Sequence, residues 1–175
     1  PFTKDGATFP FGRILRGSVP SFKPDASFTK MIESQAVQPP VYVDTSWLLV
    51  GHVDETISFV KASTPRGWVM LVNDARLAKT MLEDLVAKGQ GETPMFAGRS
   101  WFDDNGKPSP AQTTVAAVLK DTDVMTASAE AATEVDAQIA ILKKEIGLTD
   151  DEIVRIPYLH HSIEGGSVAY QPGTV

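Results

Sequence analysis

The chain has 175 residues, a length that predicts one domain or two very small ones. Its 42% hydrophobic and 22% charged residues are typical of a globular protein with a core, which argues against long disordered regions. The net charge of −6 argues against a general nucleic-acid-binding protein, and no apolar run reaches the roughly 20 residues that span a bilayer. The chain contains no cysteine, so disulfides, thiolate metal sites and a cysteine nucleophile are excluded within it.

Prolines and glycines interrupt residues 1–40, so only short elements are expected there. One short strand is predicted within 9–15. A short helix is predicted over 28–35, because Phe28 and Met31 recur at helical spacing.

Beyond residue 40 the sequence has the pattern of strands. Strands are predicted over 41–43, 57–60 and 68–72, with a further buried apolar element over 47–50. The continuous apolar run 68–72 is typical of an interior strand.

Two helical regions follow. A helix is predicted over about 75–88, capped by Asn73 or Asp74 and ended by the next glycine. The second region, 111–146, contains no proline or glycine and is expected to form one or two helices, best defined over 129–146.

A turn-rich insertion, 89–110, separates these helical regions. Three aromatic side chains are expected to anchor it to the body of the domain: Phe96, Trp101 and Phe102. A capping box at 149–152 and a strand over 153–156 follow the second helical region, and the tail 158–175 has the composition of a loop. The order of strands and helices predicts an α/β fold.

One segment, 44–59, combines apolar and titratable residues in a way that suggests chemistry. In an extended segment the side chains of His52 and Asp54 would point to the same side, and an imidazole beside a carboxylate suits proton transfer next to a bound cation. The alternative is a histidine that is hydrogen-bonded within a core, with Asp54 and Glu55 as turn residues. Composition alone favours this alternative.

Other candidate motifs are weaker. His160 and His161 are adjacent, so regular structure cannot direct both at one metal ion, and a loop is the preferred interpretation. Residues 103–106 resemble half of a calcium loop but lack its spaced ligands and final glutamate, which favours a turn. No metal site is expected within these residues.

The string Gly51-His52-Val53-Asp54, followed by an apolar stretch that ends at Phe59, resembles the histidine–aspartate motif of the guanidine-modifying superfamily. The longer string 44–55 is similar to one branch, the protein-arginine deiminases. Further stretches resemble that family in the same order along the chain: 9–15, 34–41, 89–92, 142–148 and 150–157.

This resemblance implies an α/β fold that forms about two modules of a five-module, pseudo-symmetric α/β propeller. Residues 1–175 are then expected to be part of a catalytic domain, as a fragment of a longer chain. Exposed faces between modules imply self-association or contact with the remainder of the same protein.

The resemblance also implies a reaction and residue roles. The family hydrolyses peptidyl-arginine to citrulline and ammonia, using a cysteine thiolate, a histidine acid/base and two aspartates that bind the guanidinium group. On the matching positions, His52 is the general acid/base, Asp54 is one guanidinium-binding carboxylate, and Val50 contacts the substrate side chain. The cysteine and the second aspartate have no counterpart here, so the chain alone is expected to be inactive.

The resemblance gives expectations for ligands and partners as well. Animal members of the family need calcium, which a complete protein would then bind outside these residues. The expected substrate is an arginine-containing protein or peptide, with neither nucleic acid nor membrane as a partner. No cellular compartment is indicated.

Two other functions stay open. The protein could act on free arginine or agmatine as a deiminase or amidinotransferase, or it could be a non-catalytic binding module that keeps the fold. Three other residues have structural interpretations: Arg13 in an ion pair, with contact to the substrate as the alternative, Trp47 packed beneath the site, and Glu55 either solvated or paired with a basic residue.

Overall fold

The computed structural model describes residues 1–19, 25–102, 105–163 and 171–173. Its strands are β1 (Phe2–Lys4), β2 (Ala7–Phe9), β3 (Leu15–Ser18), β4 (Val41–Asp44), β5 (Ile57–Lys61), β6 (Trp68–Asp74), β7 (Pro94–Met95), β8 (Ser100–Phe102), β9 (Pro108–Pro110), β10 (Thr113–Thr114), β11 (Ile153–Pro157), β12 (His161–Ile163) and β13 (Gln171–Gly173). Its helices are α1 (Ala26–Ser34), α2 (Ala75–Ala87), α3 (Val115–Lys120) and α4 (Thr122–Ile146). Two single-turn 3-10 helices cover Val53–Glu55 and Asp150–Glu152.

A three-stranded sheet of order β11-β6-β5 lies at the centre of the fold. The middle strand, β6, is parallel to β11 and antiparallel to β5. Met70 and Val72 on β6 are fully buried, so the prediction of an interior strand here is confirmed. The long connection from β6 to β11 contains helices, as a parallel crossover requires, and the expected mixed α/β class is confirmed.

The predicted helix limits are confirmed by their caps. Of the two candidate caps for α2, the Asp74 side chain accepts a hydrogen bond from the Leu77 N–H group at 2.9 Å. Gly89 follows the end of α2 with a φ of +77°, a conformation that favours glycine. The second helical region forms two helices, because Asp121 ends α3 and its side chain caps α4.

Helix α4 supplies one wall of the core. Its predicted apolar face, Val135, Ile139, Leu142 and Ile146, is buried, and the helix packs on β4 and β6. Among the described residues, no helix is both long enough and apolar enough to cross a bilayer.

Arg13 attaches the N-terminal segment to the end of α4. Its guanidinium group lies 2.8 Å from the Glu145 carboxylate and donates to the carbonyls of Pro39 and Pro40 at 3.0 Å. The structural interpretation of Arg13 is therefore confirmed, and the arginine lowers the pKa of the Glu145 carboxyl group.

The predicted limits of the strand within 9–15 are wrong. Strands β1 and β2 form a hairpin instead, and β3 begins only at Leu15, where it pairs in parallel with β4. The hairpin turn contains Asp5 and Gly6, both with positive φ, which is the requirement of a type I′ turn.

Three further expectations need correction. Residues 47–50 form turns and bends in which Trp47 and Leu48 are buried but the next two residues are exposed. The aromatic residues expected to anchor the insertion are instead more than half exposed: Phe96, Trp101 and Phe102. The tail contains an antiparallel pair, β12 with β13, where only loop was expected.

Candidate functional site

The string that resembles the deiminase motif lies in the loop between β4 and β5, residues 45–55, called here the motif loop. His52 has extended backbone angles (φ −89°, ψ 137°) and immediately precedes the 3-10 helix Val53–Glu55, which contains Asp54. Successive side chains of a 3-10 helix point about 120° apart. The prediction of an extended segment that directs His52 and Asp54 to the same side is therefore wrong. Both side chains are nevertheless exposed at the surface.

Glu55 is the closest charged neighbour of His52. Its carboxylate accepts a hydrogen bond from the His52 backbone N–H group at 2.9 Å and lies 3.7 Å from Nδ1 of the imidazole. The His52 side chain is 67% exposed, whereas that of Glu55 is only 16% exposed. Of the two interpretations of Glu55, the structure favours the one that places it beside a basic residue, because its side chain is mostly buried and close to the imidazole.

Val50 precedes His52 by two residues and is 62% exposed. Leu49 beside it is 54% exposed, so the motif loop has an apolar surface next to its titratable residues. Such a surface suits the methylene stem of a long cationic side chain.

Close packing fixes the backbone beneath the motif loop. Thr45 is completely buried, and its N–H group donates to the Ser18 carbonyl at 3.2 Å, which continues the pairing of β3 with β4. Gly51 has a φ of +81°, and Gly17 lies so near that a Cβ atom there would be 3.0 Å from the Gly51 carbonyl oxygen. Trp47 is buried and donates to the Asp44 carbonyl at 3.2 Å, as expected for a residue that packs against the body of the domain.

Two polar residues that sequence reasoning missed also hold the motif loop. Asn73 at the end of β6 donates through its side chain to the Glu55 carbonyl at 2.8 Å, and its backbone N–H group donates to the Thr56 carbonyl at 3.1 Å. Gln138 on α4 is 1% exposed and bonds to residues on both sides of the loop. A polar residue at helical spacing between Val135 and Leu142 on an otherwise apolar face was the available signal.

The adjacent histidines have different surroundings: His160 is buried, whereas His161 is only partly buried. In the part of the chain that the structure describes, no group of three or more carboxylate or histidine side chains could hold a metal ion. His160 is 2% exposed and packs between the rings of Trp47 and Tyr158, with ring centroids 5.7 and 5.0 Å away. Burial, with a smaller contribution from His161, lowers the pKa of His160 to about 4. The turn at 103–106 has two residues, 103 and 104, outside the described residues.

The larger of two prominent cavities, about 550 Å³, lies away from the motif loop and is called here the apolar groove. It opens beside the end of β11, between α2 and the insertion, and among the described residues no carboxylate, ammonium or guanidinium group lines it. Its exposed apolar lining residues are Met81, Phe96 and Trp101.

Comparison with known proteins gives a consistent result. The family model described as "Protein-arginine deiminase (PAD)" matches residues 1–172. Protein-arginine deiminase type-4 of Mus musculus is 31% identical over 164 residues, which cover 91% of this chain and 23% of the relative. The type-1 protein of Homo sapiens is 30% identical over 165 residues, covering 91% of this chain and 23% of the relative. The type-3 protein of Homo sapiens is 29% identical over 179 residues, covering 100% and 26%. The chain thus spans about a quarter of the length of the curated relatives that it matches.

Proposed function

The chain belongs to the protein-arginine deiminase family, as its motifs predict, and on this basis we propose that it supplies one half of a citrullinating active site. The observation that supports this best is the exposed His52 at the surface of an otherwise anchored loop, with Glu55 beside its Nδ1 atom. The proposed reaction is the hydrolysis of peptidyl-arginine to peptidyl-citrulline and ammonia, in a complete protein that contains these residues.

The chemistry follows from the charge and shape of the substrate. A guanidinium group is a planar cation with several N–H donors, which a carboxylate can accept in pairs. Asp54, exposed on the 3-10 helix, is the proposed carboxylate, and the apolar surface at Val50 is the proposed wall for the methylene stem of the arginine. When a substrate binds, His52 and Asp54 would contact the same guanidinium group from different sides.

His52 is proposed to move protons in both halves of the reaction. A thiolate from outside this chain attacks the guanidinium carbon, and the His52 imidazolium protonates the amine that leaves as ammonia. The neutral imidazole then takes a proton from the water that attacks the thiouronium carbon. The thiolate leaves, and the carbon retains the water oxygen as the carbonyl of citrulline. The chain has no cysteine, so we expect the 175 residues alone to be inactive.

The α/β elements are proposed to form about two modules of a five-module propeller. The parallel pair β3–β4 and the mixed sheet β11-β6-β5 are the elements that would belong to them. Any calcium requirement of a complete protein is proposed to rest on residues outside this chain, and no step above uses a metal.

The test uses the complete gene product and measures citrulline release from an arginine ester and an arginine-containing peptide, with and without calcium. We expect His52→Ala and Asp54→Asn each to reduce kcat/KM by about 100-fold or more, because each removes a group that contacts the substrate. His161→Ala and Asp84→Asn are matched controls of the same residue types away from the motif loop, and they should retain activity.

Other results would contradict the proposal in different ways. Full activity of both motif variants would exclude His52 and Asp54 from the site. Activity on free arginine or agmatine alone would favour a small-molecule enzyme. A complete product that is inert on every guanidine substrate would favour a non-catalytic module.

A further inference from the structure

Gln138 lies in the middle of α4, more than 80 residues along the chain from the motif loop, yet it bonds to both sides of that loop. Its Nε2 group donates to the carbonyl of Asp44, the last residue of β4, at 2.8 Å. Its Oε1 atom accepts from the Thr56 hydroxyl, just after the 3-10 helix, at 3.0 Å. One side chain therefore joins the two ends of the segment that contains His52 and Asp54.

The chemistry of the partners fixes the orientation of the Gln138 amide. The Asp44 carbonyl can only accept, so it must face the NH₂ group. The amide oxygen then faces Thr56 and accepts from its hydroxyl, whose single hydrogen is shared with the Val53 carbonyl, an acceptor 3.2 Å away. A carboxylate at position 138 could not donate to Asp44, and an apolar side chain could make neither bond.

Burial makes this pair of bonds significant. Gln138 is 1% exposed and Thr56 is 2% exposed, so water cannot replace either partner without opening the fold. Gln138 is also flanked on the same helix face by Val135, Ile139 and Leu142, all buried. A polar residue in such a position is costly to bury unless its bonds are made, and both bonds made here go to the edges of the motif loop.

We propose that Gln138 is a positioning residue that holds the motif loop in its reactive arrangement. The proposal rests on the proposed roles of His52 and Asp54, because Gln138 itself is buried and would not touch a substrate. It acts by fixing the distance between the end of β4 and the start of β5. This distance in turn constrains the backbone conformation of residues 45–55 between them.

The principal variant is Gln138→Met, which keeps the length and apolar contacts of the side chain but removes both bonds. Its matched control is Ser128→Ala on the same helix. Ser128 is also buried, and its hydroxyl bonds to the backbone of His160, not to the motif loop. If Gln138 only stabilises the fold, Gln138→Met and Ser128→Ala should have the same effect on hydrogen exchange of the motif loop and on activity.

Hydrogen exchange of peptides that span 44–56 gives a readout independent of activity. In the complete gene product we expect exchange of these amides to be about tenfold faster or more in Gln138→Met and unchanged in Ser128→Ala, with both variants lowering Tm. We also expect kcat/KM for the arginine peptide to fall about 10- to 100-fold in Gln138→Met, the loss typical of a small displacement of catalytic groups. Ser128→Ala should keep its activity.

Where Gln138→Met does not fold, Thr56→Val removes the bond to Gln138 from the other side with little change of shape, together with the bond of the Thr56 hydroxyl to the Val53 carbonyl. It should also speed the exchange of these amides. Equal exchange of the 44–56 amides in the Gln138 and Ser128 variants would overturn the positioning role. Full activity of His52→Ala would instead overturn the proposed function, whatever the exchange shows, so the two failures can be distinguished.

Discussion

The imidazole of His160 is buried among aromatic rings, and among the described residues neither of its nitrogens has a hydrogen-bond partner. Its pKa is lowered to about 4, chiefly by burial, whereas a histidine in an unfolded chain titrates near 6.5. Above pH 6.5 both states are neutral at this residue and it has no effect on the pH dependence. As the pH falls from 6.5 to 4, the unfolded state binds a proton that the folded state does not, so folding stability is lost in that window.

We therefore predict that His160→Phe reduces the acid sensitivity of the chain. Phenylalanine keeps the ring contacts, and the backbone bonds between residue 160 and Ser128 remain. Urea unfolding at pH 7.0 and pH 4.5 should show that the wild type loses about 2–3 kcal/mol more than the variant between these values. The same loss in both proteins would show that His160 is not the group responsible.

Elements with a strong local pattern were predicted well from sequence. The apolar run of β6, the cap of α2 and the apolar face of α4 each depend on residues close together in the chain. The hairpin β1–β2 was missed although Asp5-Gly6 is its usual turn signal, because its three-residue strands are too short to show a period. The 3-10 helix at Val53–Glu55 was missed for a different reason. Its single turn is capped locally by His52 and Glu55, but it is also held by bonds to β6 and α4, which lie far away along the chain.

The resemblance, not the periodicity, identified the candidate residues. His52 and Asp54 were selected on the motif, and composition alone favoured a buried histidine, whereas His52 is exposed. The buried histidine is His160, whose ring nitrogens have no hydrogen-bond partner within the described part of the chain and which had only been interpreted as loop. Burial depends on which elements pack together, so a single sequence could not assign these two environments.

The contact between β3 and the motif loop leads to a prediction about Gly17. A Cβ atom at this position would lie 2.6 Å from the Thr45 hydroxyl oxygen and 3.0 Å from the Gly51 carbonyl oxygen. Thr45 is completely buried, so its side chain cannot change rotamer to make room for a methyl group. Gly17→Ala should therefore shift the backbone just before His52. We expect a loss of about 1–3 kcal/mol in the free energy of unfolding and reduced citrulline release by the complete gene product.

Gly91→Ala is the matched control for this substitution. A Cβ atom at Gly91 would make only ordinary contacts, 3.4 Å from Ala116 and 3.6 Å from Val86, so stability and activity should be nearly unchanged. Adding Thr45→Ala to Gly17→Ala removes the nearest clashing atom and should restore part of the stability. If Gly17→Ala and Gly91→Ala behave alike, the close approach is not a constraint on the motif loop.

At the scale of the whole molecule, the chain leaves large apolar side chains at its surface. The apolar groove is lined by Met81, Phe96 and Trp101, which are 48%, 55% and 54% exposed. Phe96 and Trp101 lie in the insertion, which these side chains were expected to anchor to the body of the domain. An exposed apolar surface that continues into a cavity of about 550 Å³ is more typical of an interaction surface than of solvent-facing protein.

We predict that the chain associates with itself through the apolar groove, as the exposed faces expected from the resemblance imply. Multi-angle light scattering over a series of concentrations should show a mean mass that rises above the 18.9 kDa of one chain. Trp101→Ser should weaken this association by about tenfold or more, because burying a large aromatic side chain contributes roughly 1.5–3 kcal/mol. Phe11→Ser is the matched control, since Phe11 is 69% exposed but does not line the groove. A constant mass of one chain at every concentration would contradict the prediction. An equal effect of the two substitutions would show that general surface hydrophobicity, and not the groove, drives the association.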